Sequence, residues 1–305
     1  MRAVVQYGTG GPEVLKIEDR PVPPRQDNEV LVRVEAIAVP FYETQLRSGL
    51  FPAGSEPTVF GHEAAGTVIE ADDQTLVGRR VVIMSFTGGA YAEIVAASQY
   101  TLVPENITPE QAVAAAVPAS VAVSLLRTAD VVEGETVLVE AASGAIGGYL
   151  TRLAKARGAR VVATTGTGKA APGADVVLDH DDPEWRKNVP EGIHVLFESF
   201  GGPRAAELVP KLAPRGRILA YGLLSGEFPA ISVADLVPRG LTLIGFGGPD
   251  AYAKDIAAVR GEALDLVADG TLTPVIDRTY PLADAAAAHA RVESREGAGK
   301  VLLVP

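Results

Sequence analysis

Cysteine is absent from this 305-residue chain, and tryptophan (one), methionine (two) and histidine (four) are scarce. Without cysteine there is no disulfide framework, no thiol nucleophile, no iron–sulfur cluster and no zinc site built on sulfur. Basic side chains are also in deficit: 27 Lys and Arg against 38 Asp and Glu leave a formal net charge of −11. That balance argues against a protein built to neutralise nucleic-acid phosphates, which needs a basic face. No run of about 18 consecutive apolar residues, the length of a membrane span, is present. The N-terminal MRAVVQY lacks the basic start and apolar core of a signal peptide. A soluble cytoplasmic protein is expected.

What the chain does have is 47% apolar residues, 32 glycines and 22 prolines. At about 150 residues per domain the length suggests two domains, each with enough apolar residues for a core. Up to about residue 110 the pattern is short β-like runs (RAVVQY, VLKIED, EVLVRVEAIAV, GHEAAGTVIE, RRVVIMSF, AEIVAAS) broken by glycine and proline, the texture of an antiparallel, barrel-like domain. Thr108-Pro109-Glu110 then opens a helix, with an N-cap and a proline at the first position, that continues through Arg127. Beyond it six apolar strands (ETVLVE, ARVVATT, DVVLD, IHVLFESF, GRILAYG, LTLIGF) alternate with helical segments, and SVADLV adds another apolar run. This predicts a doubly wound parallel sheet. The expected divisions are 1–112, 113–248, and 249–305 returning to complete the first domain. The fold class expected is α/β.

Val137 to Lys169 reads strand, tight turn, helix, strand. In the turn Ala142-Ser143-Gly144-Ala145-Ile146-Gly147, residues 142, 144 and 147 occupy the three positions of a G-x-G-x-x-G dinucleotide fingerprint, with alanine first. Gly144 lets the backbone approach a pyrophosphate, Gly147 lets the helix lie close to the strand, and the helix N-terminus offers free N–H groups. About 20 residues after the first fingerprint position an NAD site usually places a carboxylate on the ribose 2′-hydroxyl. Here the chain reads Ala163-Thr164-Thr165-Gly166-Thr167-Gly168-Lys169, with no acid, so hydroxyls such as that of Thr165 and the Lys169 ammonium would receive a 2′-phosphate. NADPH is the expected cofactor.

With these segments in order, the sequence resembles the medium-chain dehydrogenase/reductase superfamily, in its zinc-independent quinone oxidoreductase (zeta-crystallin-like) branch. The likeness rests on EVLVRVEAIAV, RSG, PTVFGHEAAGTVIE, VGRRVV, GGAYAEIVAASQYTLVPENIT, VLVEAASGAIGG, GADVVLDH, APRGRILAYG, LTLIGF and GKVLLVP, and covers nearly the whole chain. It implies a GroES-like, mostly antiparallel catalytic domain with a Rossmann domain. It further implies an NADPH-dependent, zinc-independent oxidoreductase passing hydride to a quinone or an α,β-unsaturated carbonyl, and a homodimer. Two alternatives are carried: an NADPH-binding protein of this fold without catalysis, and an alcohol dehydrogenase. In the zinc-dependent relatives a cysteine, the histidine of GHE and a third residue hold the metal; here only His62 corresponds, with Pro40 at the cysteine position and Ala119 near the last, so no metal is expected.

The resemblance places Phe41, Phe51, His62 and Phe246 around the substrate. The segment Pro40-Phe41-Tyr42-Glu43 departs from the family's Asn-Pro-x-Asp substrate loop, and Leu50-Phe51 stands where related enoyl reductases have a tyrosine, which leaves Tyr42 as the candidate catalytic proton donor. By the same resemblance Gly222, Leu223 and Gly247 flank the nicotinamide, and His180 takes the place of a tyrosine beside the adenosine phosphate.

Overall fold

The computed structural model describes residues 1–51 and 57–305. The chain divides into two compact units, one formed by Met1–Val117 with Arg260–Pro305, the other by Pro118–Val259. In the first unit the chain lays down strands β1 (Arg2–Gln6), β2 (Leu15–Asp19), β3 (Val30–Val39), β4 (Thr58–Val59), β5 (Glu63–Ala71), β6 (Arg80–Met84), β7 (Ile94–Ala97) and β8 (Tyr100–Leu102). The second unit contributes β9 (Thr136–Val139), β10 (Arg160–Thr165), β11 (Val176–Asp179), β12 (Ile193–Glu198), β13 (Leu212–Ala220) and β14 (Thr242–Gly245); β15 (Ile276–Pro281) and β16 (Lys300–Val304) return to the first.

The first unit is built on a sheet of order β15-β16-β3-β5-β6-β8, with β7 also paired to β3, and a smaller β2-β1-β4 sheet. Pairing is antiparallel throughout except between β15 and β16. Its long strand β3 is apolar almost without a break because it is buried along nearly its whole length. Helix α1 (Phe41–Ser48) follows β3 directly, so the segment expected as a substrate loop is helical. The reason is local: Pro40 holds an extended N-cap, and Gly49, at φ +89°, closes the helix through its N–H to the carbonyls of Gln45 and Leu46.

Helix α2 (Pro109–Ala129) starts where the sequence indicated, and its cap is reciprocal: Thr108 Oγ1 accepts from the Gln111 N–H, and Gln111 Oε1 accepts from the Thr108 N–H. It is long and apolar enough to cross a membrane, but 89% of that stretch is buried within the protein, which makes it a core helix.

In the second unit six parallel strands stand in the order β11-β10-β9-β12-β13-β14. Counted from β9 this is 3-2-1-4-5-6, the doubly wound dinucleotide-binding order, in which the direction of winding reverses between β9 and β12. The apolar run SVADLV does not become a strand. Ser232 and Asp235 form a capping box over the short helix Val233–Leu236.

Candidate functional site

Helix α3 (Ala145–Ala156) begins at the carboxyl end of β9, next to the switch point. Gly144 is its N-cap in an extended conformation, and no side chain caps the helix, so its first-turn N–H groups have no intrahelical or capping partner. A Cβ on Gly147 would lie 2.5 Å from the Ala141 carbonyl oxygen, so only glycine permits this separation of helix and strand. Ala141 itself sits in the left-handed region at φ +51°, held by its N–H to Thr164 Oγ1 (3.2 Å) and by the Ala142 N–H to the Thr164 carbonyl (2.8 Å). Nothing in an alanine announces such a conformation, which a glycine would adopt freely, and it falls one residue before the fingerprint's first position.

The other candidate cofactor residues also fall at the carboxyl ends of strands: Thr165 and Lys169 after β10, His180 after β11, Gly222 and Leu223 after β13, Phe246 and Gly247 after β14. Gly222 packs so tightly on the Ser199 backbone that a Cβ would overlap it. Thr165 is buried and its hydroxyl donates to the Lys169 carbonyl (3.1 Å), so it shapes the turn. Where the sequence shows no acid at the end of β10, the structure brings two from β11. Asp181 Oδ2 accepts from the Thr167 N–H (2.9 Å), and Asp179 Oδ2 accepts from the Thr167 hydroxyl (2.7 Å). His180 is half-buried; burial lowers its pKa, against the opposing charges of Asp181 and Asp179.

Two further carboxyl groups, Glu140 after β9 and Glu198 ending β12, are buried at the switch point. Burial, and then the charge of Glu198, pushes Glu140 up to about 8.

In the first unit the candidate residues form a different kind of cluster. Glu43, in the first turn of α1, is fully buried and accepts three hydrogen bonds. Its Oε1 takes the His62 N–H (2.8 Å) and the His62 Nδ1–H (2.9 Å), and its Oε2 takes the Tyr91 hydroxyl (2.6 Å). His62 keeps 15% of its side chain exposed and packs between Tyr42 and Phe60, ring centroids 5.8 and 5.7 Å away. Burial opposes a charge on His62, but the hydrogen bond and charge of Glu43, joined by the charge of Glu63, outweigh it and raise its pKa.

Behind Glu43, the Tyr91 hydroxyl lies 3.0 Å from Nε2 of the fully buried His289. Burial, followed by the charge of Arg47, holds His289 down at about 3, so it is neutral; with Nδ1 unpartnered, its proton sits on Nε2 and is donated to the tyrosine oxygen. Gly61, at φ +88°, leaves room for the Tyr91 ring, which any side chain there would strike.

Tyr42, the candidate proton donor from sequence, directs its hydroxyl to Glu63 Oε1 (3.3 Å), and Glu63 also faces Lys300 (3.4 Å). Phe41 lies under the Arg295 guanidinium, 5.1 Å from its ring centre. Phe51 and Phe246 are each half-buried, Phe51 in the first unit and Phe246 in the second. Among the described residues no group of three or more His, Asp or Glu side chains is placed to hold a metal ion. A three-ligand zinc site does not fit the residues present: Pro40 has no donor side chain and caps α1, and Ala119 has none either, which leaves His62 as the one corresponding ligand.

Comparison with known proteins agrees with this architecture. Residues 26–109 match the alcohol dehydrogenase GroES-like domain family, and residues 172–303 match a family described as zinc-binding dehydrogenase. Quinone oxidoreductase 1 of Escherichia coli is 31% identical over 318 residues, covering 97% of each chain. The human quinone oxidoreductase is 31% identical over all of this chain and 98% of its own. The solved structure of an Escherichia coli quinone oxidoreductase complexed with NADPH superposes over the whole of both chains with a TM-score of 0.91 at 28% identity.

Proposed function

Because the chain belongs to the quinone oxidoreductase branch of the medium-chain dehydrogenase/reductase superfamily, we propose that it is an NADPH-dependent oxidoreductase acting on quinones or α,β-unsaturated carbonyls. The observation that carries this is the uncapped start of α3 at the switch point of a 3-2-1-4-5-6 sheet, with Gly147 pressed against β9. The N–H groups of residues 145–147, with Ala142, Ser143 and Gly144 in the approach, would hold the pyrophosphate. Lys169, His180 and the Thr165–Lys169 turn would surround the adenosine ribose, while Gly222, Leu223, Phe246 and Gly247 would border the nicotinamide. The bound dinucleotide supplies a hydride.

Conjugated acceptors suit a donor set that offers no Lewis acid, because the negative charge left by hydride spreads over several substrate atoms. Phe41, Tyr42, Phe51 and His62 of the first unit are assigned to the substrate side, and the protein's share is positioning and proton supply. We also assign it to the cytoplasm and to a homodimer. The zinc-dependent alternative suggested by one family description is disfavoured by the donors around His62. The test is NADPH oxidation in the presence of 1,4-quinones and 2-alkenals, with NADPH and NADH affinities measured in parallel. Turnover with either class supports the reading; cofactor binding without turnover across the panel overturns it.

A further inference from the structure

Hydride transfer to a conjugated carbonyl leaves an oxygen that must take a proton, and the acid is a separate question from the hydride donor. Tyr42 is poorly placed for this, since its hydroxyl is directed to the Glu63 carboxylate. His62 is placed differently. Its Nδ1 is fixed by a fully buried carboxylate that also holds its backbone N–H and the Tyr91 hydroxyl, so neither the ring nor the carboxylate is free to turn. The remaining nitrogen, Nε2, belongs to a partly exposed ring. A buried carboxylate that fixes the tautomer and orientation of an imidazole, and steadies the imidazolium, is the arrangement that general acid–base catalysis uses in unrelated folds.

We propose that His62 is the proton donor of this reductase and that Glu43 is the residue that positions it. This rests on the reading of the protein as a reductase of conjugated carbonyls. In the step, hydride adds to the substrate carbon and an electron pair moves to the carbonyl oxygen. The His62 Nε2–H bond breaks and an O–H bond forms; imidazolium becomes imidazole, NADPH becomes NADP⁺, and water returns the proton to the exposed edge of the ring. The groups that face His62 favour its charged form on balance. Glu43 on α1 and Glu63 on β5 are carboxylates; Tyr42 and Tyr91 are phenols, and Lys300 on β16 is paired with Glu63 rather than with the ring. Proton donation therefore extends to a higher pH than a free imidazole, of pKa about 6.5, would sustain.

The test combines kinetics with imidazole NMR. With a 2-alkenal and saturating NADPH, wild-type kcat/KM for the alkenal should decline as pH rises through a single group, and the ¹⁵N titration of His62 in the NADPH-bound protein should give the same pKa, above 6.5. His62→Gln should bind NADPH normally by fluorescence yet lose roughly 100-fold or more in kcat, with the declining limb abolished. Glu43→Gln should move the limb and the NMR titration together to lower pH. Retention of kcat within threefold in His62→Gln, with the limb intact, would overturn the assignment. So would an NMR pKa that disagrees with the kinetic one, and this comparison needs only wild-type protein should a variant fail to fold. If wild-type protein turns over neither quinones nor alkenals, the reductase reading itself fails and this assignment falls with it.

Discussion

The carboxyl groups of Glu140 and Glu198 converge on one amide, the N–H of Phe200, which lies 3.4 Å from Glu140 Oε2 and 3.0 Å from Glu198 Oε1. Two buried carboxylates cannot both be charged at such a place without large cost, so the pair retains a proton at neutral pH. Glu198 Oε2 is buried without a hydrogen-bond partner.

A stability profile follows from this. Glu140 is raised from about 4.5 to about 8 in the folded chain, so the folded state holds more protons than the unfolded one across that window. The contribution is fully present below pH 4.5 and is lost as pH rises toward 8. Glu140→Gln, a fixed neutral side chain, should flatten the profile and raise Tm by about 3–6 °C at pH 8, with little gain at pH 5. Calorimetry across pH 5–9 reads the difference.

Gly147→Ala tests the cofactor cradle. The added Cβ would have to displace the Ala141 carbonyl or push α3 off β9. Overpacking of this kind costs roughly 1–3 kcal/mol, and the displaced N–H groups should weaken NADPH binding at least tenfold. Urea unfolding and tryptophan or cofactor fluorescence measure the two effects separately.

Asp181→Asn probes the choice between dinucleotides. Asp181 lies beside the Thr165–Lys169 turn, where a 2′-phosphate would feel its charge and a 2′-hydroxyl would not. Removing one exposed negative charge should tighten NADPH by about 3–10-fold, more at low salt than at high, and leave NADH within about twofold. Titrations of both cofactors at two ionic strengths decide it.

Tyr91→Phe removes one of three donors from Glu43 and the only described acceptor of the His289 Nε2–H. A buried donor left unsatisfied costs about 1–3 kcal/mol, and the loss should appear as a lower urea midpoint with an unchanged slope.

The dinucleotide fold was legible because parallel strands buried on both faces carry continuous apolar runs, and because Gly144 and Gly147 mark a turn and a close approach. Other features left no such trace. The donors to Glu43 come from 19 and 48 positions away, so no local spacing reveals that this carboxylate is a hub. Asp179 and Asp181 were hidden by topology: only the pairing of β11 beside β10 carries the DHDD segment to the Thr165–Lys169 turn. SVADLV has the composition of a strand, but the Ser232 and Asp235 side chains compete for its backbone and turn it into a helix.

One consequence of the Glu43 hub concerns how such a protein changes over generations. Its carboxylate satisfies a histidine and a tyrosine that belong to different stretches of chain, so replacing position 43 leaves both without their acceptor, whereas replacing 62 or 91 removes donors from Glu43 and leaves the other pair intact. Position 43 therefore constrains the other two more than they constrain it. Among descendants of this sequence, loss of the carboxylate at 43 should come with changes at both 62 and 91, while either donor should be able to change alone.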